Sequence, residues 1–434
     1  MSLDNTYFSL IAPNEEPLKA NILSIERLVN PDSMNIKRLN GINELDVIYA
    51  QEQFPIVITK SIFLAGPTPR DKSVKSWRPI AIDYLRSIGY DGIIYVPEPR
   101  DGKWEKDYDK QVEWEHRAMN ICDTIVFWIP RDLSLDKNNY PKMAALTTNI
   151  EFGLYNNSNK LVVGIPDDKI NVSSNKYICH ICQKKSIPFF SSLEDMLYYV
   201  NNNLSHVLRK ETECCIPAYL WNNNEFQNWY TMQMKNGNIL LDLNINYSFI
   251  MPKARKLFLW IASTIMYIKD ENRIKSNEFI LSRTNLSSVV LIKRGNTYKD
   301  TYIVLVKEYR TPCCNEEAFV YELPGGSSLN NDALQTAIEE IKEEVGISLD
   351  LLKLDLIESR QSIATLSAHK LIAYKYELST DEFKKLKKIE GSQHGLEADS
   401  ERTYVIIKSL DEIINNSLLD WTNIGIILSA WSNK

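Results

Sequence analysis

The sequence has 434 residues, of which 44% are hydrophobic and 24% charged. Both fractions are those of a globular protein, which excludes a disordered, collagen-like or coiled-coil chain, and at roughly 100–200 residues per domain the length implies two to four domains. Lys and Arg number 50 against 56 Asp and Glu, a net charge of −6. A nucleic-acid coat needs a basic face and is excluded, whereas local sites for small phosphates are not.

Residues 1–57 read as a β-rich lead-in, with a turn cluster at Asn30-Pro31-Asp32-Ser33. From residue 58 to 204 short apolar runs alternate with helical spacing. The runs are Ser61–Ala65, Gly92–Val96, Asp123–Ile129 and Leu161–Ile165. The helices are Trp77–Ile88, Gln111–Ile121 and Thr147–Tyr155. That alternation predicts βαβ units and a parallel sheet covered on both faces, an α/β fold. Residues 205–274 read as a connecting region with an aromatic-rich stretch, Tyr219–Tyr230. Within it Leu257–Ile268 has the length of a buried helix and is too short to span a bilayer, which needs roughly 20 apolar residues. From 275 to 434 a mixed unit is expected. Its β-like runs are Ser288–Lys293, Tyr302–Val306, 354–359, 369–377 and 403–408, with helices at 332–345 and 419–431.

In an open α/β sheet, ligands bind beyond the carboxyl ends of the strands. Three segments fall there: Gly66-Pro67-Thr68-Pro69-Arg70, Pro130-Arg131, and Thr147-Thr-Asn-Ile-Glu-Phe-Gly153. Glu151 is expected in the first turn of its helix, where the dipole favours the ionised form that a nucleophile needs. Arg70 and Arg131 are candidate phosphate contacts. Trp114 and Trp128 are read as core.

These features resemble the nucleoside 2-deoxyribosyltransferase-like family. The resemblance rests on Phe63-Leu-Ala-Gly-Pro67, Trp114-Glu115, Asp123 at the head of an apolar strand, and Thr147–Gly153. It implies a flavodoxin-like sheet and cleavage of an N-glycosidic bond. Glu151 would attack the anomeric carbon, and a second base or water would release the glycosyl-enzyme. Asp123 is the candidate second carboxylate, as acid or base-orienting group. Gly66, Pro67, Arg70 and Asn149 are the candidate substrate contacts. Where the family often has Asp, six residues before the nucleophile, this chain has Ala145; Asn149 or Glu115 is left to recognise the base.

The strongest pattern lies downstream. Glu340, Glu343 and Glu344 stand at i, i+3 and i+4, so on a regular helix they share a face. Clustered carboxylates repel unless a cation offsets them, and oxygen ligands suit Mg²⁺ or Mn²⁺. Gly325-Gly326 permits a tight loop before the helix, and Gly346 stops it. The segment resembles a Nudix box, G-x5-E-x7-R-E-U-x-E-E-x-G-U. Gly325, Glu340, Ile341, Glu343, Glu344, Gly346 and Ile347 match, while Asn331 and Glu339 depart from it. Upstream, Val306-Lys-Glu-Tyr-Arg310 and Tyr321-Glu-Leu-Pro-Gly-Gly326 resemble the ADP-ribose pyrophosphatase branch. That resemblance implies a Nudix α/β/α sandwich, a metal site of Glu340, Glu343, Glu344 and Gly325, and Arg310 and Glu322 on substrate or metal. Glu344 would be catalytic, and so would Glu401 in the acidic loop 395–401, with Glu397 close behind. The Pro that marks the substrate in that branch is replaced by Ser362.

Cys179-His-Ile-Cys182 has zinc-knuckle spacing but lacks a second pair. Seven Cys and no basic-apolar leader point to a reducing cytoplasm. The resulting expectation is a cytoplasmic, bifunctional, homo-oligomeric enzyme acting on small nucleosides and nucleotides, with no nucleic acid or membrane partner. One site cleaves or transfers at an N-glycosidic bond; the other uses Mg²⁺ to hydrolyse a diphosphate such as ADP-ribose. The alternative is a nucleotide or ADP-ribose sensor with degenerate sites.

Overall fold

A computed structural model describes residues 45–104, 106–251, 256–328, 332–395 and 401–432. The lead-in up to residue 44, Asn331 and Glu397 lie outside the described residues. The chain divides into two compact units. One holds Met1–Trp221, Met234–Asn244 and Thr264–Glu278; the other holds Asn222–Gln233, Ile245–Ser263 and Phe279–Lys434.

Strands of the first unit are β1 (Asp46–Tyr49), β2 (Val57–Ile58), β3 (Ser61–Ala65), β4 (Ile93–Val96), β5 (Thr124–Trp128), β6 (Asp132–Leu135), β7 (Pro141–Met143), β8 (Leu161–Gly164), β9 (Phe189–Phe190) and β10 (Arg209–Lys210). Six of them form a sheet of order β1-β4-β3-β5-β8-β9. Every pairing in it is parallel. Its central strands β3, β4 and β8 are buried at every residue, which is why they read as unbroken apolar runs. Ile62, Leu64 and Val126 pack against the Arg78–Ser87 and Leu193–Asn203 helices through Ala81, Leu85, Met196 and Val200. On the opposite face Phe127 meets Phe152 of the Leu146–Tyr155 helix edge-on, with centroids 6.0 Å apart. The Tyr108–Ile121 helix starts at Asp107, whose carboxylate accepts from the Asp109 N–H. The expected α/β fold and its four runs are therefore present. The lead-in contributes β1 to the sheet edge, and β2 pairs with β10.

Three long strands follow: β11 (Ile239–Met251), β12 (Lys256–Ile268) and β13 (Arg273–Arg283) form a separate sheet. Leu257–Ile268 is thus strand, not the expected helix. Length misled there. The run is rich in β-branched and aromatic residues, and its buried positions Trp260, Ala262 and Thr264 recur every second residue.

In the second unit lie β14 (Leu286–Lys293), β15 (Tyr302–Tyr309), β16 (Phe319–Glu322), β17 (Gly325–Ser327), β18 (Leu354–Arg360), β19 (Leu371–Glu377), β20 (Gln393–His394) and β21 (Thr403–Ser409). They form one mixed sheet of main order β18-β19-β14-β15-β21-β20, with β16 on β15 and β17 on β14. Only β14 and β19 run parallel. The Ala333–Glu340 helix continues as a π turn, Ile341–Val345, and packs Ala337, Ile341 and Val345 on one face. The Trp421–Ser432 helix packs Ile427 and Ala430 on the other. The unit is a helix–sheet–helix sandwich. Gly346, with φ 76°, ends the π turn in the left-handed region.

Candidate functional site

The carboxyl edge of the parallel sheet is organised by Arg78, a residue to which the sequence reading gave no role. Its helix opens Arg78-Pro79, and Pro in the first turn costs no hydrogen bond. The side chain is only 1% exposed. Nε donates to the Leu64 carbonyl at 3.0 Å, and Nη2 donates to the Gly66 carbonyl at 2.6 Å. Nη1 donates to Thr68 Oγ1 at 3.1 Å and to Glu98 Oε1 at 2.5 Å. One guanidinium so joins the end of β3 to the end of β4. Gly66 has φ 148°, and a Cβ there would run into the Trp128 carbonyl, so the turn requires glycine. Pro67 is buried and Arg70 exposed; the Arg70 N–H donates to the Lys142 carbonyl at 2.7 Å.

Glu115 and Glu151 are both half-buried, one on the Tyr108–Ile121 helix and the other on Leu146–Tyr155. Gln111 fixes Glu115: its Nε2 donates to Glu115 Oε1 at 2.6 Å and to the Pro97 carbonyl at 3.1 Å. Burial raises the Glu115 pKa, against Gln111 and Arg78. Burial, then the charge of Glu115, pushes Glu151 up to about 7, while Arg78 pulls it down. This corrects two expectations. The helix begins at Leu146, which puts Glu151 in the second turn. The dipole falls off within the first turn, so burial decides the proton affinity instead. The group is a carboxyl poised near neutrality.

Asn149 is exposed, and its Oδ1 accepts from Arg131 Nη2 at 2.7 Å. Arg131 also donates to the Ala144 carbonyl at 2.5 Å and to Asn175 Oδ1 at 2.6 and 2.8 Å. Those bonds make it a brace for the loop before Glu151 instead of an open phosphate contact. Ala145, in that loop, has φ 62° and caps the helix without a side-chain bond. Trp114 and Trp128 are buried as expected.

Asp123 departs from the role it was given. It lies at the amino end of β5, away from the ligand edge, and both its oxygens are taken. Arg209 Nη1 and Nη2 donate to Oδ1 and Oδ2, each at 2.7 Å. The N–H groups of Ala218 and Ser61 add bonds of 2.7 and 2.8 Å. Arg209 is fully buried. The pair is a structural clamp, and the carboxylate beside Glu151 is Glu115. The sequence showed Asp123 at a strand head but could not show its partner, 86 residues away.

Residues 59–169 match the family model described as nucleoside 2-deoxyribosyltransferase like. They form a nucleoside 2-deoxyribosyltransferase-like domain. The domain spans Gly66, Arg78, Glu115, Asp123 and Glu151. No curated protein matches the chain.

Outside this deoxyribosyltransferase-like domain, the second unit gathers Glu308, Glu344 and Glu401, whose carboxylate oxygens lie within 4.8 Å of one another. Glu344 is 1% exposed, and its Oε2 accepts from the Gly325 N–H at 2.8 Å. The Gly325 N–H thus orients this carboxylate. Arg310 Nη2 lies 2.8 Å from Glu308 Oε2 and 3.0 Å from Glu322 Oε1. The Glu308 contact lacks hydrogen-bond alignment, and among the described residues that buried oxygen has no hydrogen-bond partner. Burial raises Glu308 to about 7 against Arg310, with Glu401 and Glu322 adding to the rise. Burial, then Glu401 and Glu343, raises Glu340 to about 7. Burial also raises Glu344.

The expected trio of Glu340, Glu343 and Glu344 is thus not the one brought together. A π turn takes more residues per turn than an α-helix, so the i, i+3, i+4 face is broken at Ile341. Glu344 turns inward, Glu340 borders the cluster, and Glu343 is half-buried on the same turn. Glu308 was missed, although Val306-Lys307-Glu308 places it at an inward strand position. Glu339 is exposed and accepts from Gln335 Nε2 at 2.7 Å. Three hard oxygen donors this close together fit a divalent cation such as Mg²⁺. Among the described residues, Cys179 and Cys182 join no such group.

Proposed function

We propose that the chain is a two-site enzyme of nucleotide metabolism. Its first site cleaves or transfers at the N-glycosidic bond of a nucleoside. The observation that supports this best is the Glu151–Glu115 pair beside Arg78 at the carboxyl edge of the sheet. Ionised Glu151 attacks the anomeric carbon, and the C–N bond breaks with its electron pair going to the base. Glu115, whose proton affinity burial raises, protonates the departing base. An incoming base or water then displaces Glu151 from the sugar, and Glu115 takes up its proton. Arg78 holds the Gly66 turn, and its charge lowers the proton affinity of both acids. Incubation with a nucleoside panel tests the reading: free base should appear without added metal, and its absence throughout would end this assignment.

The second site is read as a diphosphate hydrolase resembling Nudix enzymes, acting on a nucleoside diphosphate such as ADP-ribose. The cluster of Glu308, Glu344 and Glu401 supports it. These residues would hold Mg²⁺ or Mn²⁺, which supplies charge neutralisation and activation of water. Gly325 orients Glu344, and Arg310 orients Glu308 and Glu322. ADP-ribose cleavage that chelation abolishes, while base release survives, is the expected result. ADP-ribose bound but never cleaved would point to a sensor instead.

Seven unpaired cysteines suit a reducing cytoplasm. Among the described residues no helix is long and apolar enough to cross a membrane. Leu146, Ile150 and Leu154 expose one apolar stripe of the Glu151 helix, which favours self-association.

A further inference from the structure

The second unit also carries buried polar groups that the carboxylate cluster leaves unused. Leu286, at the start of β14, pairs with Ser327 of β17 and with Leu371 of β19. That register brings together three short segments: Arg283-Thr284 before β14, Ser327-Ser328 at the end of β17, and His369 before β19. Asn285 ties them, its carbonyl accepting from the Ser328 N–H at 2.8 Å and its Oδ1 from the Lys370 N–H at 2.8 Å.

Arg283 lies at the centre. Its Nη2 donates to Ser327 Oγ, and its guanidinium stacks over Phe258, 4.9 Å from the centroid. Among the described residues it forms no ion pair with a carboxylate. The other charge that acts on it is a second cation, Arg310. Around it Arg283 Nε, Thr284 Oγ1, Ser328 Oγ and His369 Nδ1 are buried without a hydrogen-bond partner among the described residues. Ser328 is 1% exposed, Thr284 5% and His369 7%.

A half-buried charge lacking a counter-charge is unfavourable, and each orphaned buried donor adds the cost of its lost hydration. Such costs concentrate where a ligand meets them. A planar guanidinium with hydroxyl donors complements an oxyanion, with two parallel N–H groups for two oxygens. Arg310 links this set to the acidic cluster, because it pairs with Glu308 and its charge reaches Arg283. We propose that Arg283, with Ser327, Ser328 and His369, forms an oxyanion subsite that takes a phosphate group of the diphosphate substrate. The name of the substrate rests on the hydrolase reading above; the oxyanion chemistry does not.

The test uses inorganic pyrophosphate and the full chain, without divalent ions, read by NMR of the five histidines. The His369 signal, assigned by its loss in His369→Gln, should shift saturably. Arg283→Ala should weaken binding at least about tenfold, as loss of a charged hydrogen-bond partner does. Arg283→Lys, which keeps the charge without the fork, should fall between and serves if the Ala variant does not fold. No saturable shift at His369, or wild-type affinity in a folded Arg283 variant, would overturn the subsite. Pyrophosphate binding without hydrolysis of any diphosphate in Mg²⁺ leaves the subsite standing and removes only the hydrolase reading.

Discussion

Glu151 titrates at about 7 because it is buried and because Glu115, on a neighbouring helix, adds a second negative charge, which Arg78 only partly offsets. A nucleophilic carboxylate must be ionised. The reaction also needs the Glu115 proton, so the active pair holds one proton between the two acids. Base release should therefore rise with pH, pass through a maximum and fall as the second proton is lost through about 7. Glu115→Gln leaves one titrating acid, so the falling limb should disappear even as the maximal rate falls. Profiles of kcat/KM against pH for both proteins give the answer. A falling limb that stays in place in the variant would mean that Glu115 is not the acid.

Glu151→Ala should lower base release by about 10³-fold or more, since binding alone does not replace a covalent route. The side chain is only half-buried, so circular dichroism and the unfolding temperature should stay near wild type. Activity retained in the variant would move the nucleophile to another residue, with Glu115 the first to examine.

Asp123→Asn should behave in the opposite way. Arg209 is fully buried, and the substitution strands its charge. Removing one partner of a buried pair costs about 3–5 kcal/mol. Urea unfolding should report that loss, while kcat per folded molecule stays close to wild type. A stable but inactive variant would return Asp123 to the chemistry.

How far the sequence could be read depended on the range of the interaction. The strands β3, β4, β5 and β8 were legible because parallel strands buried on both faces leave unbroken apolar runs. Glu151 was singled out because its segment, Thr147–Gly153, resembles a family motif. Its partner was not, since Glu115 lies 36 positions earlier (151 − 115) and only the packing of two helices makes them neighbours. Arg78 was missed for the same reason: nothing local separates a buried arginine with four acceptors from a solvated one. In the second unit the acidic motif was visible, but the π turn that redirects Glu344 towards Glu308 was not.

That redirection makes the stability of the second unit depend on pH and on metal together. Glu308 and Glu340 titrate at about 7 in the fold, against an ordinary value of 4.5. Between those values the folded chain binds more protons than the unfolded one, so the contribution of these groups to stability falls as pH rises. It is fully present below 4.5 and lost through about 7. A divalent ion binds the ionised carboxylates and restores what is lost. Mg²⁺ should therefore raise the unfolding temperature strongly at about pH 8 and little at about pH 5. Glu308→Gln removes one buried charge. In chelator at about pH 8 it should unfold at the wild-type temperature or higher, despite losing the Arg310 contact, because Arg310 keeps Glu322. It should also lose most of the Mg²⁺ response. Thermal unfolding of both proteins at the two pH values, with Mg²⁺ and with chelator, provides the comparison. An equal Mg²⁺ shift at both pH values would show that the ion does not compete with protons at these carboxylates. A full shift in Glu308→Gln would show that the ion binds without this residue, and would return the metal site to Glu340, Glu343 and Glu344 as the bare sequence suggests.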